Sequence, residues 1–116
     1  MKVRDAYSRA LRVMWLDPNA FGLLIRRGIE VICAEEGISG PTLEVRLTRL
    51  QVKRNLPGDV AEVAKHLRLL GNRAAHDVDK GLHPLHTHVI DDFFRVLLDY
   101  LYILPFRLEY AKQFEK

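Results

Sequence analysis

Lys65, Arg68, Asn72 and His76 recur three and four residues apart, so on a helix turning about 100° per residue they share one stripe. Leu67, Leu70 and Ala74 form an apolar stripe nearly opposite, and Arg73 stands beside the polar one, a turn before His76. The set gathers guanidinium groups, a carboxamide and an imidazole on one surface. Guanidiniums fork onto phosphate oxygens, and an imidazole exchanges a proton near neutral pH. RNA is the substrate that suits this chemistry, because its own 2′-hydroxyl can attack the adjacent phosphate while a protein moves protons and stabilises charge. A polar stripe opposite an apolar one is also what any amphipathic helix turns to water, with His76-Asp77 closing the helix.

Other constellations carry weaker signals. Arg46, Arg49, Lys53 and Arg54 make the densest basic patch, which Arg26 and Arg27 could extend. Without interleaved aromatics it supports non-specific attraction to RNA or DNA phosphates. His83, His86 and His88, with His76, Asp77 and Asp79 nearby, are metal-ligand types at a spacing that matches no established site. The expectation there is a solvated His-rich loop, with no metal and no cofactor. The lone Cys33 lies beside an apolar helix stripe and reads as a buried structural thiol. Asp91, Asp92 and Asp99 read as an exposed helix face. Phe93, Phe94, Tyr100, Tyr102, Phe106 and Tyr110 read as core or dimer interface.

These residues need helices to hold them, and the periodicity is helical almost throughout. Val3, Tyr7, Ala10, Leu11 and Met14 mark a first helix. Asp17-Pro18 then supplies a cap and a first-turn proline for a second. Phe21, Leu24, Ile25, Gly28 and Ile32, widened by Leu23, Ile29 and Val31, make that second helix apolar on several sides and hence central. Gly37 is placed to end it. Leu43, Leu47 and Leu50 give a short third helix, and a fourth runs from about Val60 to His76-Asp77. The longest starts near Leu85 and is expected to kink or end at Pro105, which lacks an N–H and clashes with the preceding turn. The fold expected is an all-α bundle of about five helices, one domain over residues 1–116, with a long C-terminal helix broken near Pro105.

Composition sets the outer bounds. The 116 residues are 48% hydrophobic and 28% charged, too apolar for a disordered tail. Charges such as Arg26, Arg27 and Glu30 interrupt every apolar run before it reaches membrane-spanning length. The start of the chain alternates charged and apolar residues, unlike a signal peptide, and one cysteine suits a reducing compartment, so a cytoplasmic location is expected. The formal net charge is +3, and residues 1–54 are basic while 55–116 are near neutral. A chain this short buries only about two-thirds of its unfolded surface, which favours a homodimer.

Arg27-Gly28-Ile29-Glu30-Val31-Ile32-Cys33, the Leu-rich short helix after it, Leu67 to His76, and Asp99 to Pro105 carry a resemblance over nearly the whole chain. The chain resembles a family labelled as a domain of unknown function, found alone and attached to type I restriction-enzyme subunits, within the HEPN superfamily. The resemblance implies a helical bundle that often dimerises, in prokaryotic defence, toxin–antitoxin or RNA-processing settings, with a protein of a defence system as a further partner. Active members are metal-independent endoribonucleases bearing an Arg, a polar residue, three residues and a His, with two motifs juxtaposed in the dimer. Asn72 and His76 match, but Gly71 stands where the Arg belongs. Arg73 could substitute, whereas Arg68 lies about 12 Å before His76 along the axis and would have to act across a dimer. The expected function is therefore a dimerising, non-catalytic HEPN-like interaction domain. The alternatives are a metal-independent endoribonuclease using His76, Asn72, Arg73 and Arg68, and a non-catalytic RNA- or DNA-binding module using Arg46, Arg49, Lys53 and Arg54.

Overall fold

The computed structural model describes residues 2–76 and 82–115, with the side chain of His76 outside that set. The described residues form α1 (Lys2–Val13), α2 (Pro18–Glu35), α3 (Leu43–Arg54), α4 (Gly58–His76), α5 (Pro84–Leu98) and α6 (Leu104–Lys112). A π-helical turn, Asp99–Ile103, joins α5 to α6, so the last two helices run as one rod. No strand occurs among the described residues, and none of their helices is long and apolar enough to cross a membrane.

Local chemistry starts α2 where the sequence marks it, and starts α3 at a threonine not singled out from the sequence. Asp17 caps α2, its Oδ1 accepting from the Asn19 and Ala20 N–H groups at 3.1 and 3.2 Å, and Thr42 caps α3 by accepting from Val45 N–H at 3.2 Å. Asn19 then receives the Leu82 N–H on its own Oδ1 at 2.6 Å, tying the approach to α5 onto the start of α2.

The second helix is central, packing against α1, α3, α4 and α5. Its Phe21, Ile25, Ile29, Ile32 and Cys33 are buried against Leu67 of α4 and the Ile90, Phe94, Leu97 and Leu101 row of the rod. Each such side chain contributes about 1.5–3 kcal/mol of burial. Close approach of α2 and α5 depends on Gly28, where a Cβ would come within 2.9 Å of Phe94 Cζ. A larger residue there would push the ring, and the rod with it, off the core.

At Pro105 the winding is broken as expected: a π turn, Asp99–Ile103, interrupts the α-helix just before the proline, and a short further helix follows. Proline has no N–H to offer the Leu101 carbonyl one turn back. That carbonyl accepts instead from Arg54 Nη2 at 2.7 Å, while Leu104 N–H bonds to the Asp99 carbonyl in the wider i→i+5 pattern. With the orphaned carbonyl satisfied from α3, helical winding continues to Lys112. The continuation is bare: α6 has no buried residue, and the molecule measures 57 × 30 × 24 Å.

Beside this junction the Tyr102 hydroxyl is buried with no hydrogen-bond partner among the described residues. Burial first, and then the Glu36 and Glu35 carboxylates, push its pKa from 10.0 up to about 12. The folded chain therefore keeps this proton where an unfolded tyrosine has lost it, so stability falls as pH rises from 10 towards 12. Tyr7, raised mainly by burial, adds to the same alkaline loss. Tyr102→Phe is expected to equal the wild type at pH 7 or exceed it by up to about 1 kcal/mol, since an unpaired buried hydroxyl is removed. It should also lose less stability above pH 10, as urea titrations at neutral and alkaline pH will show.

Candidate functional site

The polar stripe of α4 lies on one continuous helix through Gly58–His76, which keeps Arg68 about two turns from His76. His76 is its last residue; the His76 side chain, Asp77 and Asp79 lie outside the described residues. Asn72 is half-buried and Arg73 is exposed. Lys65 and Arg68 line a groove of about 360 Å³ between α3 and α4, together with Glu44, Thr48, Gln51 and Glu62. Arg68 Nη1 stands 4.0 Å from Glu44 Oε2. The two cations thus share their groove with two carboxylates, which opposes the attraction of a phosphate there.

Gly71 is buried and faces α2, where a Cβ would come 3.1 Å from the Cβ of Arg26. The aliphatic stem of Arg26 occupies the space beside Gly71, and its guanidinium Nε lies 3.7 Å from Glu30 Oε1. An arginine at position 71 would therefore point into the α2–α4 contact and displace it.

The basic residues of α3 are turned onto the protein itself. Arg46 Nε donates to the Gly40 carbonyl at 3.1 Å, and Arg49 Nη1 donates to the carbonyl of Ser39. Lys53 Nζ donates to the Glu36 carbonyl, with Glu36 Oε2 at 3.7 Å. Arg54 bonds both the Glu36 carboxylate and the Leu101 carbonyl. All four reach residues 36–40, just beyond the end of α2, and Arg54 also reaches the rod. The charge cluster is visible in sequence; apart from the Glu36 carboxylate, its targets are backbone oxygens that no residue type announces.

The histidines are likewise engaged. His83 Nδ1 accepts from Leu85 N–H at 3.1 Å, and His86 Nδ1 accepts from His83 N–H at 3.0 Å. This reciprocal cap starts α5 with Pro84 in its first turn. His88 stands edge-on to Trp15, with ring centroids 4.9 Å apart. No group of three or more metal-ligand residues occurs among the described residues.

Asp91 overturns the exposed-face expectation for the carboxylates of α5. It is 6% exposed, accepts from the Tyr7 hydroxyl, and lies 3.3 Å from Arg95 Nε, which also donates to Tyr7 Oη at 2.9 Å. The trio joins α1 to α5 over the Phe94 ring, 5.3 Å from that of Tyr7. Its only sequence signal is the position of Asp91 beside Ile90 in the core row, a turn before Phe94 and Arg95. Cys33 is fully buried, and burial pushes its thiol up, against the opposing charge of Arg46. The protonated thiol is a poor nucleophile.

A family model described as Domain of unknown function (DUF4145) matches residues 8–116 of the chain. No curated protein and no solved structure was found to match it.

The two ends of the basic row should separate in a stability measurement. Arg54→Gln strips donors from a part-buried carboxylate and an orphaned carbonyl, and is expected to cost about 2 kcal/mol. Arg49→Gln, at an exposed contact, should cost less than about 1 kcal/mol. Urea unfolding of both variants at one pH provides the comparison.

Proposed function

The chain belongs to the DUF4145 family, and on that premise we propose that it is a dimerising, HEPN-like interaction domain without catalytic activity. The setting proposed, from the resemblance of its motifs, is prokaryotic defence or nucleic-acid processing. The observation that carries the dimer is α6. It extends the rod by 9 residues without burying a side chain, so packing within the chain contributes little to it. Phe106 is 72% exposed and Tyr110 56%, two aromatic side chains one turn apart that a partner can cover. The packing of the bundle does not reach it, since α6 meets chiefly the π turn from which it grows.

Absence of catalysis is supported by Gly71. It offers no guanidinium where the superfamily's cleaving members carry one and packs against Arg26, and Arg68 sits with Glu44 in another groove. Asn72 then serves the end of α4 as a helix residue, and the cations of α3 serve the fold.

Two measurements test this reading. Sedimentation equilibrium over a wide concentration range should give twice the 13.4 kDa chain mass, and a monomer at every concentration would contradict it. Purified protein incubated with RNA in chelator should show no cleavage above that of His76→Ala; cleavage abolished in that variant would establish the endoribonuclease instead.

A further inference from the structure

On the solvent side of the rod, Val96, Tyr100, Ile103 and Leu104 share one shallow groove of about 320 Å³ with Asp99 and Arg107. Val96, Ile103 and Leu104 are 42–43% exposed, unlike the Ile90, Phe94, Leu97 and Leu101 row that faces the core. The rod therefore carries a second apolar stripe beside its buried one. In sequence the row Val89, Phe93, Val96, Tyr100, Ile103 alternates steps of four and three residues, with Phe93 and Tyr100 partly buried at its border with the core. Such a period of 3.5 is the pattern of a seam between two helices. Arg107 takes the next place, and Tyr110 and Phe114 follow at the same spacing.

Resting on the dimer reading above, we propose that this groove is the dimer seam, occupied by the same groove of a second copy running antiparallel, with the two-fold axis at Ile103. Charge selects the occupant and its direction. Asp99 and Arg107 each stand four residues from Ile103, on the same groove. They are about 12 Å apart along one rod, too far to pair within a chain, and neither forms an ion pair there among the described residues. An antiparallel second copy sets each Asp99 opposite the other chain's Arg107, twice, by symmetry. A parallel copy sets carboxylate on carboxylate and guanidinium on guanidinium, which repel.

Size agrees with this occupant. The rod spans residues 84–112, about 43 Å at a rise of about 1.5 Å per residue. A standard interface needs about 800 Å² per partner, within reach of two such rods lying side by side. The pairing also covers the first exposed turn of α6 and gives that helix a packing partner.

Sedimentation equilibrium of the full chain, its Asp99→Arg and Arg107→Asp variants, and the double exchange tests the seam. Each single change turns two attractions into two repulsions and should weaken dimerisation about 10- to 100-fold, whereas the double exchange should return close to the wild-type constant. Both positions are exposed, so far-ultraviolet circular dichroism and urea midpoints should stay near wild type and separate loss of pairing from loss of fold. A dimer indifferent to both single changes, or a double exchange as weak as the singles, overturns the seam and leaves the dimer reading standing. A wild type that is monomeric throughout overturns both.

Discussion

The guanidinium of Arg54 holds the two halves of the molecule in register. It bonds the Glu36 carboxylate just past the end of α2 and the Leu101 carbonyl that Pro105 leaves without a donor. Remove it, and a carbonyl in the rod and a part-buried carboxylate lose their donor together, the kind of loss that costs more than the bond itself is worth. Because the carbonyl is satisfied, the rod winds through a π turn and carries α6 beyond the bundle. Beyond that junction α6 buries no side chain, and the case for a partner begins there.

Much of the fold was legible in the sequence because burial and capping are local rules. The breadth of the apolar surface on α2 follows from its own spacing, and Asp17-Pro18 is a cap and first-turn proline by residue type. Pro105 was legible only as a defect. Its repair depends on Arg54, 47 residues from Leu101, and no periodicity relates the two. Asp91 was hidden for a similar reason: its donors come from Tyr7, 84 residues away, and from the next turn of its own helix. Long-range polar pairs are set by tertiary geometry, whereas apolar stripes are set by the helix that bears them.

The candidate site divides along the same line. Lys65, Arg68 and Asn72 lie along α4, and their neighbours decide their chemistry. Arg68 and Lys65 lie beside the carboxylates of Glu44 and Glu62, and Gly71 lies against Arg26. The basic row of α3 looks in sequence like a surface for phosphates, but it acts on the carbonyls leaving α2. His83 and His86, ligand types by composition, are cap and counter-cap of α5. In each case the residue type states what a side chain can bind, and the nearest carboxylate or backbone group of the fold takes it first.

What remains facing solvent is the second stripe of the rod, and its symmetry about Ile103 is the most specific consequence of this account. Ile103→Cys, oxidised gently and followed by non-reducing electrophoresis, tests it directly, because two equivalent positions on a two-fold axis face each other. Cys33 is buried and contributes little background. The account predicts that Ile103→Cys yields a disulfide-linked dimer much faster than Val52→Cys, placed on the 78% exposed surface of α3. Equal cross-linking of the two variants would contradict it.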